Sequence, residues 1–101
     1  MGKLEAITPG EILEEEFLKG FGITAYRLSK ETGISATRIS EIIRGKRKIS
    51  VETALKLSKY FGNSAEFWLG IQNDYDLRIE KKELEKVLKA IPSVQRHVLA
   101  K

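Results

Sequence analysis

Residues 24–50 read TAYRLSKETGISATRISEIIRGKRKIS. Thr24 and Ser35 are residue types that cap helix N-termini, while Gly33 and Gly45 stand where helices end. Two short helices are therefore predicted, one starting after Thr24 and ending at Gly33, the next capped by Ser35 and ending at Gly45. Only Thr32, Gly33, Ile34 and Ser35 are left to join them, so the reversal is sharp and needs the positive φ that glycine adopts freely. Leu28, Ile34, Ile39 and Ile42 fall where they knit the pair to each other and to the rest of the domain. Thr37, Arg38, Ser40, Glu41 and Arg44 are left facing outward.

On the N-terminal side, Thr8 and Pro9 open a helix, with Thr8 as N-cap, Pro9 in the first turn and Glu11 completing a capping box. Ile12, Leu13 and Phe17 supply its apolar face, Glu14, Glu15 and Glu16 suit the positive end of the helix dipole, and Gly20 and Gly22 stop it. On the C-terminal side, Ser50 caps a fourth helix with a stripe of Val51, Ala54, Leu55, Ser58 and Phe61, ended by Gly62. Ser64 and Glu66 begin a fifth. Its Phe67, Trp68, Leu69, Ile71 and Tyr75 resemble a base-stacking platform, but near-helical spacing reads better as core packing, with Trp68 inside. From Lys81, the pattern Leu84, Val87, Leu88, Ile91 makes a further amphipathic stripe until Pro92 breaks it, followed by a short segment with Val94, Val98 and Leu99. So little chain remains to cover this stripe that it reads as a partner surface. No repeat, low-complexity tract or long linker interrupts the pattern.

The expected fold is all-α: a bundle of about five helices over residues 1–80 and a helical extension over residues 81–101. The length of 101 residues suits one domain, and 42% hydrophobic with 32% charged residues excludes a disordered or membrane class. With no cysteine and no secretory apolar stretch at the N-terminus, a reducing cytoplasm is the expected compartment. Met1-Gly2 is no myristoylation signal, because Ala6 occupies the position that wants Ser or Thr. His97 is the one histidine, so neither a zinc site nor a histidine-activated nucleophile can be assembled. The consecutive glutamates diverge around their helix and suggest no acid/base pair. No cofactor, no metal and no catalysis are expected.

The net charge of +4 is unevenly spread. Residues 1–22 carry two basic and five acidic groups, whereas residues 23–50 carry seven basic and two acidic, a local excess of +5. Clustered charge of this kind marks either a solvated surface or a polyanion site, and position within a motif decides. A helix held across a tight turn fits the DNA major groove. Thr37, Arg38, Ser40, Glu41 and Arg44 are the candidate base readers: the arginines for guanine or phosphate, the hydroxyls at close range, Glu41 for a cytosine amino group. The alternative for Glu41 is a neighbouring cation, and for the arginines plain solvation. Thr24, Arg27, Ser35, Lys46, Arg47, Lys48 and Ser50 are candidates for the phosphate backbone, the last-named cations as anchors rather than sequence readers.

The strings ITPGEILEEEFLKGFGIT, YRLSKETGISATRISEIIRGKRKIS and ETALKLSKYFGNSAEFWLGIQNDYDL together resemble the HigA-type antitoxins of the XRE, or lambda-repressor-like, helix-turn-helix family. The resemblance covers residues 7–78. It implies operator binding as a homodimer, repression of the chain's own operon, and a partner toxin, a RelE-like ribonuclease called HigB. Two positions depart from the broad family: Ser29 where alanine is usual and Thr32 where an apolar residue is usual. The dimer contact is expected on the fifth helix and the extension, at Trp68, Tyr75, Leu84, Val87, Leu88 and Ile91. The acidic first segment, with Glu5, Glu11, Glu14, Glu15 and Glu16, suits a basic toxin as well as it suits a helix N-terminus. A solitary regulator without a toxin is the alternative reading; a pure interaction scaffold is opposed by the basic cluster.

Overall fold

The computed structural model describes residues 7–94, which form six helices and no strand. Helix α1 is continuous but changes pitch, running through Pro9–Ile12, a π-helical stretch Leu13–Leu18, and Lys19–Phe21. Thr8 Oγ1 accepts from the Glu11 N–H and Glu11 Oε1 from the Thr8 N–H, both at 3.1 Å, completing the expected capping box. The Lys19 N–H reaches back five residues to the Glu14 carbonyl. Leu13 and Leu18, five apart, are both buried, and Phe17 is partly buried beside them. The helix passes through Gly20 and ends at Gly22, the left-handed residue with φ 68°, so the expected stop at Gly20 is corrected. A glycine with negative φ does not by itself break a helix.

Helices α2 (Ala25–Thr32) and α3 (Ala36–Ile43) follow, then α4 (Val51–Phe61) and α5 (Ala65–Glu83). Thr24, Ser35, Ser50 and Ser64 cap them in turn, each oxygen accepting the backbone N–H three residues on. Leu84 joins α5 directly to α6 (Glu85–Ala90). Ile91 is extended, as the residue before a proline prefers, and α6 stops there.

The core lies among α1 to α5. Leu13, Leu28, Ile34, Ile39, Ile42, Leu57 and Trp68 are all but inaccessible. Phe17 sits in an aromatic cluster, its ring centroid 4.7 Å from Trp68, 5.1 Å from Phe61 and 5.7 Å from Phe67. The Trp68 indole N–H donates to Asn63 Oδ1 at 2.9 Å, so its polar atom is satisfied inside the bundle. Two expectations change here. Trp68 cannot touch a second chain directly, because its own chain covers it completely. On α4 the buried face is Thr53, Ala54 and Leu57, while Val51 and Leu55 point to solvent. Thr53 is buried despite its polar hydroxyl, which accepts from the Ser50 hydroxyl at 3.2 Å.

Beyond Asp76 packing gives out. Of the described residues from Leu77 onward, Ile79 alone is partly buried, and Leu77, Leu84, Val87, Leu88, Ile91 and Val94 are exposed.

Candidate nucleic-acid interface

The turn between α2 and α3 is built from side-chain hydroxyls as well as from glycine. Gly33 takes φ 81°, and its N–H caps α2 at the Ser29 carbonyl, 2.9 Å away. Ser29 Oγ donates to the Ile34 carbonyl at 2.7 Å. Thr32 Oγ1 donates to the Leu28 carbonyl at 2.6 Å and accepts the Ile34 N–H at 3.1 Å. The two departures from the broad family pattern are thus both used: each hydroxyl donates to a backbone carbonyl at or beside the turn. Leu28, Ile34, Ile39 and Ile42 seal the inner side as expected.

Helix α3 is also backed by α1 at backbone distance. A Cβ on Gly10 would lie 1.9 Å from the Ile42 carbonyl oxygen and 2.8 Å from Ile43 Cα. Only glycine fits there, and this contact sets the height of α3 above the core.

On the outer side Thr37, Ser40 and Arg44 are exposed, and Arg38 and Glu41 are half-buried. Arg38 Nη1 lies 4.0 Å from Glu52 Oε1. The Glu52 carboxyl is held below its usual range, chiefly by a hydrogen bond from Lys56, with Arg38 contributing. Arg44 folds back so that its Nε lies 3.4 Å from the Ser40 carbonyl. Glu41 accepts from Arg47 Nε at 2.7 Å, the neighbouring-cation alternative raised by the sequence. At the start of α2, Arg27 pairs with Glu31 at 3.3 Å, and Glu31 also accepts from the Tyr60 hydroxyl of α4. That Tyr60 bond is the main reason the Glu31 carboxyl is held low and the Tyr60 hydroxyl raised.

After α3 the chain turns at Gly45, with φ 77°, and the Lys46 N–H closes the helix end on the Glu41 carbonyl at 2.8 Å. Lys46, Arg47 and Lys48 are exposed beyond it and rim a cleft of about 170 Å³ that also touches Thr8 and Gly10. Sequence reasoning missed what holds this loop. Gln72 of α5, buried, accepts the Ile49 N–H at 2.9 Å and donates to Asp76 Oδ1 at 3.0 Å, while Asp76 Oδ2 lies 3.1 Å from Lys48 Nζ. The available signal was an amide and a carboxylate four residues apart on one helix.

The helix-turn-helix family pattern matches residues 15–68. Antitoxin HigA-1 of Vibrio cholerae is 37% identical over 75 residues, covering 74% of this chain and 70% of its own length. The chain belongs to the HigA-type antitoxin family. A HigA-type relationship is equally plain in structure: Pseudomonas aeruginosa antitoxin HigA, solved with the higBA promoter, superposes with a TM-score of 0.81 at 35% identity, covering 86% of this chain and 96% of that one. Virulence-associated protein I of Dichelobacter nodosus is 43% identical over 90 residues, covering 89% of this chain and 83% of its own.

Within this HigA-type scaffold the remaining expected residues separate in space. Thr24, Ser35 and Ser50 spend their side-chain oxygens as helix caps. Tyr75 is half-buried on α5, and Leu84, Val87, Leu88 and Ile91 line the uncovered α6 region. Ile7, Glu11, Ile12, Glu14, Glu15 and Glu16 border a shallow cleft of about 400 Å³ beside α1. Glu5, His97, Val98 and Leu99 lie outside the described residues. No group of three histidine, cysteine or acidic side chains among the described residues is arranged to hold a metal. No described helix is long and apolar enough to cross a membrane.

Proposed function

We propose that this chain is the antitoxin of a type II toxin–antitoxin system: a cytoplasmic, dimeric, non-enzymatic repressor of its own operon that also sequesters a HigB-type, RelE-like ribonuclease. The observation that carries the reading is the exposed polar face of α3, with Thr37, Ser40 and Arg44 open to solvent and the Lys46–Lys48 cations at its end, on a scaffold shared with a HigA solved on promoter DNA. Thr37, Ser40 and Arg44 meet base edges in the major groove, and Arg38 joins them by leaving its long contact with Glu52. Glu41 serves mainly to hold Arg47. Backbone phosphates are met by Lys46, Lys48 and the N–H groups at the capped starts of α2 and α4.

Residues 84–91 serve as a partner surface beyond the bundle. The face bearing Leu84, Val87, Leu88 and Ile91 joins two copies, while the acidic flank of α1 supplies the charge a basic toxin needs. The experiment is twofold: titrating the chain onto duplex from its own upstream region, and co-expressing it with the adjacent reading frame while following growth. Specific duplex binding together with rescue from growth arrest is expected. Specific binding with no toxic or binding neighbour would replace the antitoxin reading by that of a solitary regulator.

A further inference from the structure

Resting on the DNA-binding reading above, we propose that Gln72 and Asp76 of α5 are positioning residues for the DNA interface: they hold the Lys46–Ser50 loop in place and present Lys48 to a phosphate.

Ile49 is the hinge of this arrangement. Its side chain is buried in the core, but it lies in a loop, outside the hydrogen-bond ladder of any helix. A buried N–H without an acceptor is strongly disfavoured. Gln72 Oε1 supplies the acceptor at 2.9 Å. The amide can face Ile49 in only one sense, because its Nε2 donates to Asp76 Oδ1 at 3.0 Å. The second carboxylate oxygen of Asp76 then takes Lys48 Nζ at 3.1 Å. Consecutive loop residues are therefore tied to one helix, Lys48 through its side chain and Ile49 through its main chain. The other end of the loop is fixed by the Lys46 N–H on the Glu41 carbonyl of α3.

Lys48 stays 73% exposed while Asp76 is 26% exposed, so the ammonium keeps an open side and the carboxylate sits behind it. A long lysine side chain held in one place forfeits less rotamer freedom on meeting a phosphate than a free one. The opposing effect is charge: Asp76 partly neutralises the cation it holds. The two effects predict opposite outcomes for removing Asp76, which makes the assignment decidable.

The test is a salt titration of the full chain on duplex from its own upstream region, with a scrambled duplex as control, for wild type, Asp76→Ala, Gln72→Met, Lys48→Ala and the Lys48→Ala/Asp76→Ala double variant. Helicity by circular dichroism accompanies each variant. Asp76→Ala and Lys48→Ala are expected to weaken binding to both duplexes about 3- to 10-fold, and Lys48→Ala to flatten the plot of log K against log salt by about 0.9, one phosphate contact. Adding Asp76→Ala to Lys48→Ala should then change nothing further. Gln72→Met should do the same as Asp76→Ala. If it loses helicity, Asp76→Ala and the double variant decide the matter. Tighter or unchanged binding by Asp76→Ala, or an equal Asp76→Ala effect in the Lys48→Ala background, would overturn the inference and leave DNA binding intact. A wild-type chain that holds neither duplex would overturn the DNA-binding reading, and the inference with it.

Discussion

Arg47 closes back onto Glu41, its Nε 2.7 Å from the carboxylate oxygen, so the last cation-rich loop of the helix-turn-helix is latched to the helix that precedes it. Both partners are partly solvent-exposed, and a pair of this kind contributes only about 0–1 kcal/mol to folding. Its weight falls on function. An Arg47 engaged with Glu41 is one fewer free cation for phosphate, and an engaged Glu41 has less reason to seek a cytosine amino group. Glu41→Gln is expected to tighten binding to all duplexes alike and to steepen the salt dependence. Titrations on the operator and on single-base variants of it check this; loss of discrimination at one base pair would instead make Glu41 a base reader.

Arg44 and Lys46 should separate readout from anchoring. Arg44 is exposed at the C-cap of α3, and its folded-back contact at 3.4 Å is too long to compete with a guanine edge. Arg44→Ala should cost about 1–3 kcal/mol on the operator and relax preference at one position. Lys46 makes no ion pair among the described residues, so Lys46→Ala should weaken operator and scrambled duplex equally and reduce the salt slope by about one. Identical behaviour of the two variants in salt-dependent titrations would contradict the division.

Gly10 gives the sharpest stability prediction. Its missing Cβ lets α1 rest on the α3 backbone, and no flexible side chain stands in the way that could yield: the nearest atoms are the Ile42 carbonyl and Ile43 Cα. Gly10→Ala should destabilise by about 1–3 kcal/mol or more, the range of overpacking in a core, and should weaken DNA binding by shifting α3. Gly20 is helical with nothing within 4 Å of a Cβ, so Gly20→Ala should be neutral or stabilise by up to about 1 kcal/mol. Denaturant melts of both variants make the comparison, and an unperturbed Gly10→Ala would refute the backbone contact.

The sequence made helices and caps readable because these are local: Thr8, Thr24, Ser35, Ser50 and Ser64 each bond an N–H three residues away. The buried faces of α2 and α3 were legible for the same reason, since 3.6-residue periodicity is a property of neighbours. What escaped was tertiary. Gly10 looks like a poor helix residue until α3 is laid across it, Gln72 looks like surface until Ile49 needs an acceptor, and Val51 and Leu55 look like core until Thr53 finds a hydroxyl partner. The pairings of Glu41 with Arg47 and of Lys48 with Asp76 depend on loop geometry that no periodicity encodes.

Glu31 and Tyr60 tie α2 to α4 and give stability a pH dependence with two arms. The Glu31 carboxyl is held low, first by the Tyr60 hydroxyl and then by Arg27. A lowered folded value contributes stability above the ordinary carboxylate range and loses it as pH falls through the folded value. The Tyr60 hydroxyl is raised, chiefly by the Glu31 bond, so its contribution is full below its ordinary value and lost as pH rises through the folded one. Both groups are solvent-accessible, so the arms are shallow. Tyr60→Phe should remove the alkaline arm and reduce the acid arm, as read from melting temperature against pH. A profile identical to wild type would deny the bond a role in stability.

The proposed dimer face can be tested apart from the bundle because it carries little of the bundle's packing. Leu84, Val87, Leu88 and Ile91 are 40–60% exposed. One recognition helix spans few base pairs, so a two-fold pair reading half-sites about one DNA turn, ~34 Å, apart or a multiple of that doubles the readout. Placing a carboxylate in an apolar contact leaves it desolvated without a partner. Leu88→Asp is therefore expected to remain helical, to sediment as a monomer and to lose affinity for an operator with two half-sites, while a single half-site is bound as wild type binds it. Leu55→Asp is the control: Leu55 is 56% exposed on α4, outside the proposed face, and its variant should stay dimeric. If Leu88→Asp stays dimeric while Leu55→Asp dissociates, the contact belongs on α4. If both stay dimeric, another surface joins the two copies.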